Sequence, residues 1–351
     1  MPLRTGYERV IAHRTDALFA KTARMDGVVT NVTDKVVTVK YRDGEEVSYE
    51  IGLRQGVWAG HYIPHDLVTQ LKKGQKVKQG DVLLYNQKYF TRDKLDPNQV
   101  ILKTGILAHV AFMERTETLE DSSLISRSLA SKMVTMTTHI RNIKVTFGTE
   151  IRNLLKEGEK VEAESILCTL HSASEGNTEI FSDEALSTLA SLSATTPRAK
   201  HAGTITSIEV LYTGEVEEMS TSLRHLAEAS DNRIRRLNKD LGRKAVDGQV
   251  ETGYRIDGHP LEADAAVIRV YIVGPTAMGV GDKLVFFNQM KSIVGGVMVG
   301  VNKTESGVDL DAVFAYQSLS NRITLSPETI ATTNTLLLLI GQRAAAAYRS
   351  K

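Results

Sequence analysis

The sequence predicts a mainly β chain with a few helices, and three observations predict it. Short apolar–polar alternations recur between Gly, Asp and Asn turns, a pattern of barrels or sandwiches more than of a parallel sheet. One segment repeats itself at an offset of 84 residues. Helical periodicity is confined to three stretches.

In chain order, Gly27-Val28-Val29 and Lys35 to Tyr41 alternate around a Thr33-Asp34 turn, and Asp43-Gly44 marks the next hairpin. Leu71 to Leu83 lies over Leu155 to Leu167: a leucine, a turn glycine (Gly74, Gly158), then two short strands with Val77 and Val161 facing inward. This is the hairpin of a small sandwich-barrel module, and the second copy lacks the Gly80-Asp81 of the first. Glu184 to Leu192 carries Leu186, Leu189 and Leu192 at helical spacing, with Ser182 as N-cap, inside a Ser/Thr/Ala-rich excursion from Ser172 to Thr196. Glu217 to Leu241 reads as a second helix, flanked by the basic Arg233, Arg235, Arg236 and Lys239. Pro327 opens a third, from about Glu328 to Tyr348.

At 351 residues, 42% hydrophobic and 24% charged, the chain is long enough for two or three modules of an ordinary globular kind. A formal net charge of +1 argues against a general basic surface, so nucleic-acid contact is expected to be local or shared with other chains. The single cysteine, Cys168, excludes an internal disulfide framework and fits a reducing cytosol. Charged residues interrupt the N-terminus where a signal peptide would need an apolar run, and the apolar run Leu336 to Ile340 is too short to span a bilayer. His61, His65 and His109 show no spacing that indicates a zinc site.

The most informative residues are Lys283 and Lys291, eight apart in the stretch after the strand-like run Val267 to Val273. Even spacing across a strand and a tight return points both ammonium groups into one cavity. Like charges side by side are tolerated in solvent or around a shared anion, and phosphate is the common one. The competing reading is two solvent-facing lysines on a surface barrel.

Four blocks in order resemble the C-terminal half of the β subunit of bacterial-type multisubunit DNA-directed RNA polymerases. They are Thr5-Gly6-Tyr7-Glu8 with Asp26-Gly27-Val28-Val29; Val110-Ala111-Phe112-Met113 with Leu119-Glu120-Asp121-Ser122-Ser123-Leu124-Ile125-Ser126; Gly281-Asp282-Lys283 with Lys291; and Asp311-Ala312-Val313 with Arg322. Gly203 to Val210 and the charged helix after it resemble the family's flap region. Between its two lysines the family has Gly-Arg-His-Gly-Asn, whereas this chain has Phe286-Phe287-Asn288-Gln289-Met290, so contacts of that arginine and histidine are not carried over. The chain lacks the family's C-terminal clamp anchor. It looks like one piece of a split β subunit, of the kind found in giant tailed phages.

The resemblance implies a double-psi β-barrel with sandwich-barrel hybrid and flap-like modules. It places a sandwich-barrel module and the first barrel segment in 1–150, a flap-like region in 151–250, the rest of the barrel in 251–325 and a C-terminal helix in 326–351. Lys283 and Lys291 would face the RNA 3′ end and the nucleotide phosphates, and Arg322 would clamp the triphosphate. Glu120 and Asp121 would approach Mg²⁺ through water or the nucleotide, one on each face of a strand. The metal itself would be held by aspartates of a β′-like partner, since their motif is absent here. Leu186, Leu189 and Leu192 would dock an initiation factor, although such a stripe is also ordinary core. Implied partners are an N-terminal β piece, β′-like pieces, template DNA, nascent RNA and nucleoside triphosphates, with no membrane and a cytoplasmic or virion-packaged location. Two alternatives stand beside this. One is a structural or assembly protein that keeps the barrel without the chemistry. The other is a biotinyl- or lipoyl-type carrier module, suggested by the glycine hairpin and Met290-Lys291, which lie more than 200 residues apart.

Overall fold

The computed structural model describes residues 6–58, 60–103, 105–172, 195–244, 246–287, 290–322 and 324–350. The chain is mainly β, and every strand order among the described residues is an open path. Two compact units form. One comprises Thr15–Val100 and Met136–Pro275, the other Met1–Arg14, Ile101–Thr135 and Thr276–Lys351.

The Thr15–Val100 and Met136–Pro275 unit contains both copies of the repeat. Strands Gly27–Val32, Val36–Tyr41 and Glu46–Glu50 form a meander, with Gly44 in the left-handed conformation (φ 87°) its second turn needs. Gly74 and Gly158 also have positive φ, at 84° and 92°. The hydrogen bonds around them match. Gly74 N–H donates to Val29 O at 2.8 Å and Gly158 N–H to Ile205 O at 2.7 Å; Gly80 N–H donates to Ala23 O at 2.9 Å and Glu164 N–H to Ala199 O at 2.8 Å. The duplication therefore includes a partner strand, Gly27–Val32 in one copy and Gly203–Tyr212 in the other. That strand precedes the first hairpin and follows the second, so a constant sequence offset misses it. Gly27 and Gly203 serve the same purpose. A Cβ would lie 2.7 Å from Lys40 O at one and 2.5 Å from Val273 O at the other. Where the first copy has Gly80 at φ 85°, the second holds Glu164 at φ 67°, a left-handed conformation that costs an L-residue roughly 1–2 kcal/mol.

Two cores result. Val29, Val37, Val39, Leu67, Val77 and Leu83 fill one. Val145, Leu167, Cys168, Ile205, Val210, Leu223, Ile268 and Ile272 fill the other. Burial pushes the Cys168 thiol up to about 11, so it is inert at neutral pH. The charged helix runs Thr221–Asp240. It starts later than its pattern predicts because Val216–Glu218 forms a separate 3-10 turn and Ser220 caps Leu223 N–H. Of Arg233, Arg235, Arg236 and Lys239, two are engaged: Arg233 pairs with Glu157, and Arg235 meets Asp247 at 3.1 Å.

In the other unit, strands Val110–Phe112, Ala312–Phe314, Ser122–Ser126, Met290–Met298 and Lys283–Phe286 lie side by side in that order. The first pair and the Ser122–Ser126/Met290–Met298 pair are parallel, the other two antiparallel. Ile125, Leu129, Leu284, Phe286, Met290, Val294, Phe314 and Leu319 form its core. The C-terminal helix spans Ser326–Arg349 with Pro327 in its first turn, as the sequence predicts. Leu186, Leu189 and Leu192 lie outside the described residues.

Candidate functional site

The hairpin Lys283–Phe286/Met290–Met298 decides where the two lysines go. Its register sets Lys283 opposite Ile293 and Lys291 opposite Val285. Because side chains alternate, Leu284, Phe286, Met290 and Val294 turn into the core, while Lys283, Val285, Lys291 and Ile293 share the exposed face. The lysines are diagonal neighbours, about 7–8 Å apart by strand geometry. Even spacing does bring them together. They stand on an open sheet face rather than in a cavity: among the described residues nothing covers the face that Val285 (53% exposed) and Ile293 (46%) share with them. Among the described residues, no carboxylate pairs with either lysine. At that distance their mutual repulsion is about 0.5 kcal/mol in water and about 2 kcal/mol at an effective dielectric of 20. Covering this face would therefore favour a shared anion.

Ile293 links the lysines to the other expected residues. Its N–H donates to Asp121 O at 3.2 Å, and it lies beside Ser122 in the parallel pairing. Gly295 permits the close approach, since a Cβ there would sit 2.5 Å from Glu117 O. The Asp121 carboxylate accepts from Arg322 at 2.6 Å, although 201 residues separate them. Lys283, Lys291, Asp121 and Arg322 are thus grouped around one residue.

Glu120 and Asp121 do not alternate on a strand. They occupy the turn before Ser122–Ser126, with Glu120 at φ 57° and its carbonyl accepting from the Ser318 hydroxyl. The strand expectation fails here because the left-handed residue breaks the strand period. The Asp121–Arg322 pair is half-exposed, so it contributes at most about 1 kcal/mol. Among the described residues no group of three or more His, Cys, Asp or Glu is placed to hold a metal ion. Glu120 and Asp121, two exposed carboxylates on one turn, fit a water-mediated contact with Mg²⁺.

At the hairpin's end, Phe287 adopts φ 51°, strained for a bulky residue. Its ring lies 5.8 Å from Phe112 and 6.3 Å from Phe286 and packs on the core. The other end of the sheet is tied by Asp311, whose carboxylate accepts from His109 N–H at 3.0 Å and lies 3.9 Å from the Lys132 ammonium. Sequence reasoning missed Ser122, Ile293 and Ser318, whose roles depend on pairings between distant segments.

No protein-family model matches this chain, and no curated protein does. Among the described residues, no helix is long and apolar enough to cross a membrane.

Proposed function

We propose that this chain is one piece of the β side of a multisubunit DNA-directed RNA polymerase, active only with partner chains. One observation carries the reading. Three of the four sequence blocks, separated by up to about two hundred residues, supply neighbouring strands of a single sheet and gather Lys283, Lys291, Asp121 and Arg322 around Ile293. A chance set of short motifs has no reason to converge in space.

On this reading the five-stranded sheet belongs to a double-psi β-barrel, a view supported by its two parallel pairs. The duplicated hairpins are sandwich-barrel hybrid elements, and Gly203–Tyr212 with the helix after it is flap-like. Lys283 and Lys291 hold the phosphates of the incoming nucleotide and the RNA 3′ end as mobile point charges. Arg322, released from Asp121, would fork onto the triphosphate, and Asp121 would then be free to approach the solvated metal through water. Mg²⁺, held by a β′-like partner, supplies charge neutralisation and an activated attacking oxygen when bound. The exposed lysine face and the exposed Leu336, Leu339 and Ile340 of the C-terminal helix support association with further chains.

Purification of the native complex and identification of its subunits by mass is expected to return chains carrying the missing β half and the metal aspartates. In that complex, Lys283→Ala is expected to lower single-nucleotide addition by roughly 10²–10³-fold with assembly unchanged. Wild-type addition rates would refute the assignment. Phe287 favours a second reading, a barrel-based assembly protein without the chemistry: its ring is committed to the core where the resemblance has an arginine. The same assay separates the two.

A further inference from the structure

The Thr15–Val100 and Met136–Pro275 unit contains a cavity of about 490 Å³, a size typical of ligand sites. Its walls come from six separate stretches of chain. Three histidines line it, His61, His139 and His201, and the last two stack with ring centroids 3.7 Å apart. Arg141, Lys200, Arg255 and Arg269 also line it, against one carboxylate, Asp257. That carboxylate is already taken, because the Asn142 amide donates to both its oxygens at 2.9 Å. None of the four cations has a carboxylate within 4.0 Å among the described residues.

Two of them go further. Arg141 Nε and Arg269 Nε are buried donors with no hydrogen-bond acceptor, beside one buried acceptor without a donor, Asn142 Oδ1. Buried donors left unpaired are costly and rare, and two in one cavity point to an acceptor that both reach. Arg269 lies with its guanidinium 5.4 Å from the Tyr271 ring centroid, which orients but does not neutralise it. The stacked imidazoles repeat the same theme. Burial, together with His201 and His61, holds His139 below its ordinary range. Cation-rich, carboxylate-poor and furnished with unused guanidinium donors, the cavity fits a multiply charged oxyanion far better than a metal ion.

We propose that this cavity is a phosphate-binding site, taking phosphoryl groups carried by either a single-stranded nucleic acid or a free polyphosphate. The inference does not rest on the polymerase reading, since it uses none of the same residues. Arg141 and Arg269 supply the inner contacts, Lys200 and His201 the outer ones, and the His139–His201 pair and Tyr254 offer flat surfaces to a base if the phosphate belongs to a strand.

The test uses the full chain with Lys283→Ala and Lys291→Ala in place, so that the lysine face is silent. Inorganic pyrophosphate is titrated calorimetrically, and a short labelled single-stranded RNA is followed by fluorescence anisotropy. Either probe is expected to bind, more weakly as salt rises. Arg141→Ala with Arg269→Ala is expected to weaken binding at least tenfold. The exposed pair Lys200→Gln with His201→Gln, its circular dichroism compared with that of the parent chain, is expected to weaken it several-fold. RNA binding that the exposed pair weakens identifies strand phosphates; pyrophosphate binding alone, weakened in the same way, identifies a free polyphosphate. Absence of binding by both probes, or binding that the exposed pair leaves unchanged, overturns the proposal.

Discussion

The lysine face and the histidine-lined cavity gather positive charge by opposite routes. On the face, two lysines of one hairpin meet because a period of two and a tight return place them on the same side. In the cavity, His139 and His201 meet across 61 intervening residues, and Arg141 and Arg269 across more. The first arrangement is local and open; the second is assembled by the sheet and partly buried. The difference teaches where unpaired cations need help. Exposed lysines stay hydrated and wait for an anion, whereas buried guanidinium donors are costly until one arrives.

The comparison is broken most severely by attacking what holds the face. Phe286→Ala, beneath Lys283 and Lys291, is expected to cost about 3–5 kcal/mol in denaturant unfolding. Val285→Ala, one residue away on the exposed side, is expected to change stability by less than about 0.5 kcal/mol. Equal losses would mean that the hairpin's two faces are assigned wrongly. Next comes chemistry. Lys283→Ala combined with Lys291→Ala is expected to lower nucleotide addition in the assembled complex by about 10²–10³-fold, with little change in this chain's own melting.

A smaller effect separates the sites by pH. Burial lowers the pKa of His65 and of His139, the latter further through His201 and His61. For a base so lowered, the unfolded chain takes up protons first as pH falls below the ordinary value of 6.5. Stability is then retained above that value and declines below it, and the folded state protonates only lower still. His139→Gln is expected to flatten part of the decline. So is added pyrophosphate if the cavity binds it, because an anion beside His61, His139, His201, Arg141, Lys200, Arg255 and Arg269, opposite only Asp257, offsets the repulsion. Thermal melts across pH with and without pyrophosphate measure both. Asp121→Asn is expected to shift stability by less than about 1 kcal/mol, as befits a half-exposed pair. Glu164→Gly, in the second repeat copy, is expected to stabilise by about 1 kcal/mol by relieving its left-handed backbone.

Local pattern made part of this molecule legible. The meander around Gly44, the turn glycines Gly74 and Gly158, the helix opened by Pro327 and the shared face of Lys283 and Lys291 all follow from spacing and turn chemistry. What pattern hid is non-local. The partner strand of the repeat switches from before the hairpin to after it, so Gly203 has no counterpart at the 84-residue offset. Glu120 and Asp121 read as strand residues because nothing in their sequence marks the left-handed turn that Ser318 helps to hold. His61 showed no partner because its neighbours, His139 and His201, arrive on distant segments of the same unit.

The central claim is that Lys283 and Lys291 converge on phosphate in a site another chain completes. Lysine acetylation footprinting of the native complex, read by mass spectrometry with and without template, RNA primer and matching nucleotide, tests it most directly. The account predicts that both lysines lose reactivity at least tenfold when the nucleotide is added, while an exposed lysine outside both sites, such as Lys73, keeps its rate. Equal reactivity of Lys283 and Lys291 in free chain, complex and nucleotide-bound complex would contradict it.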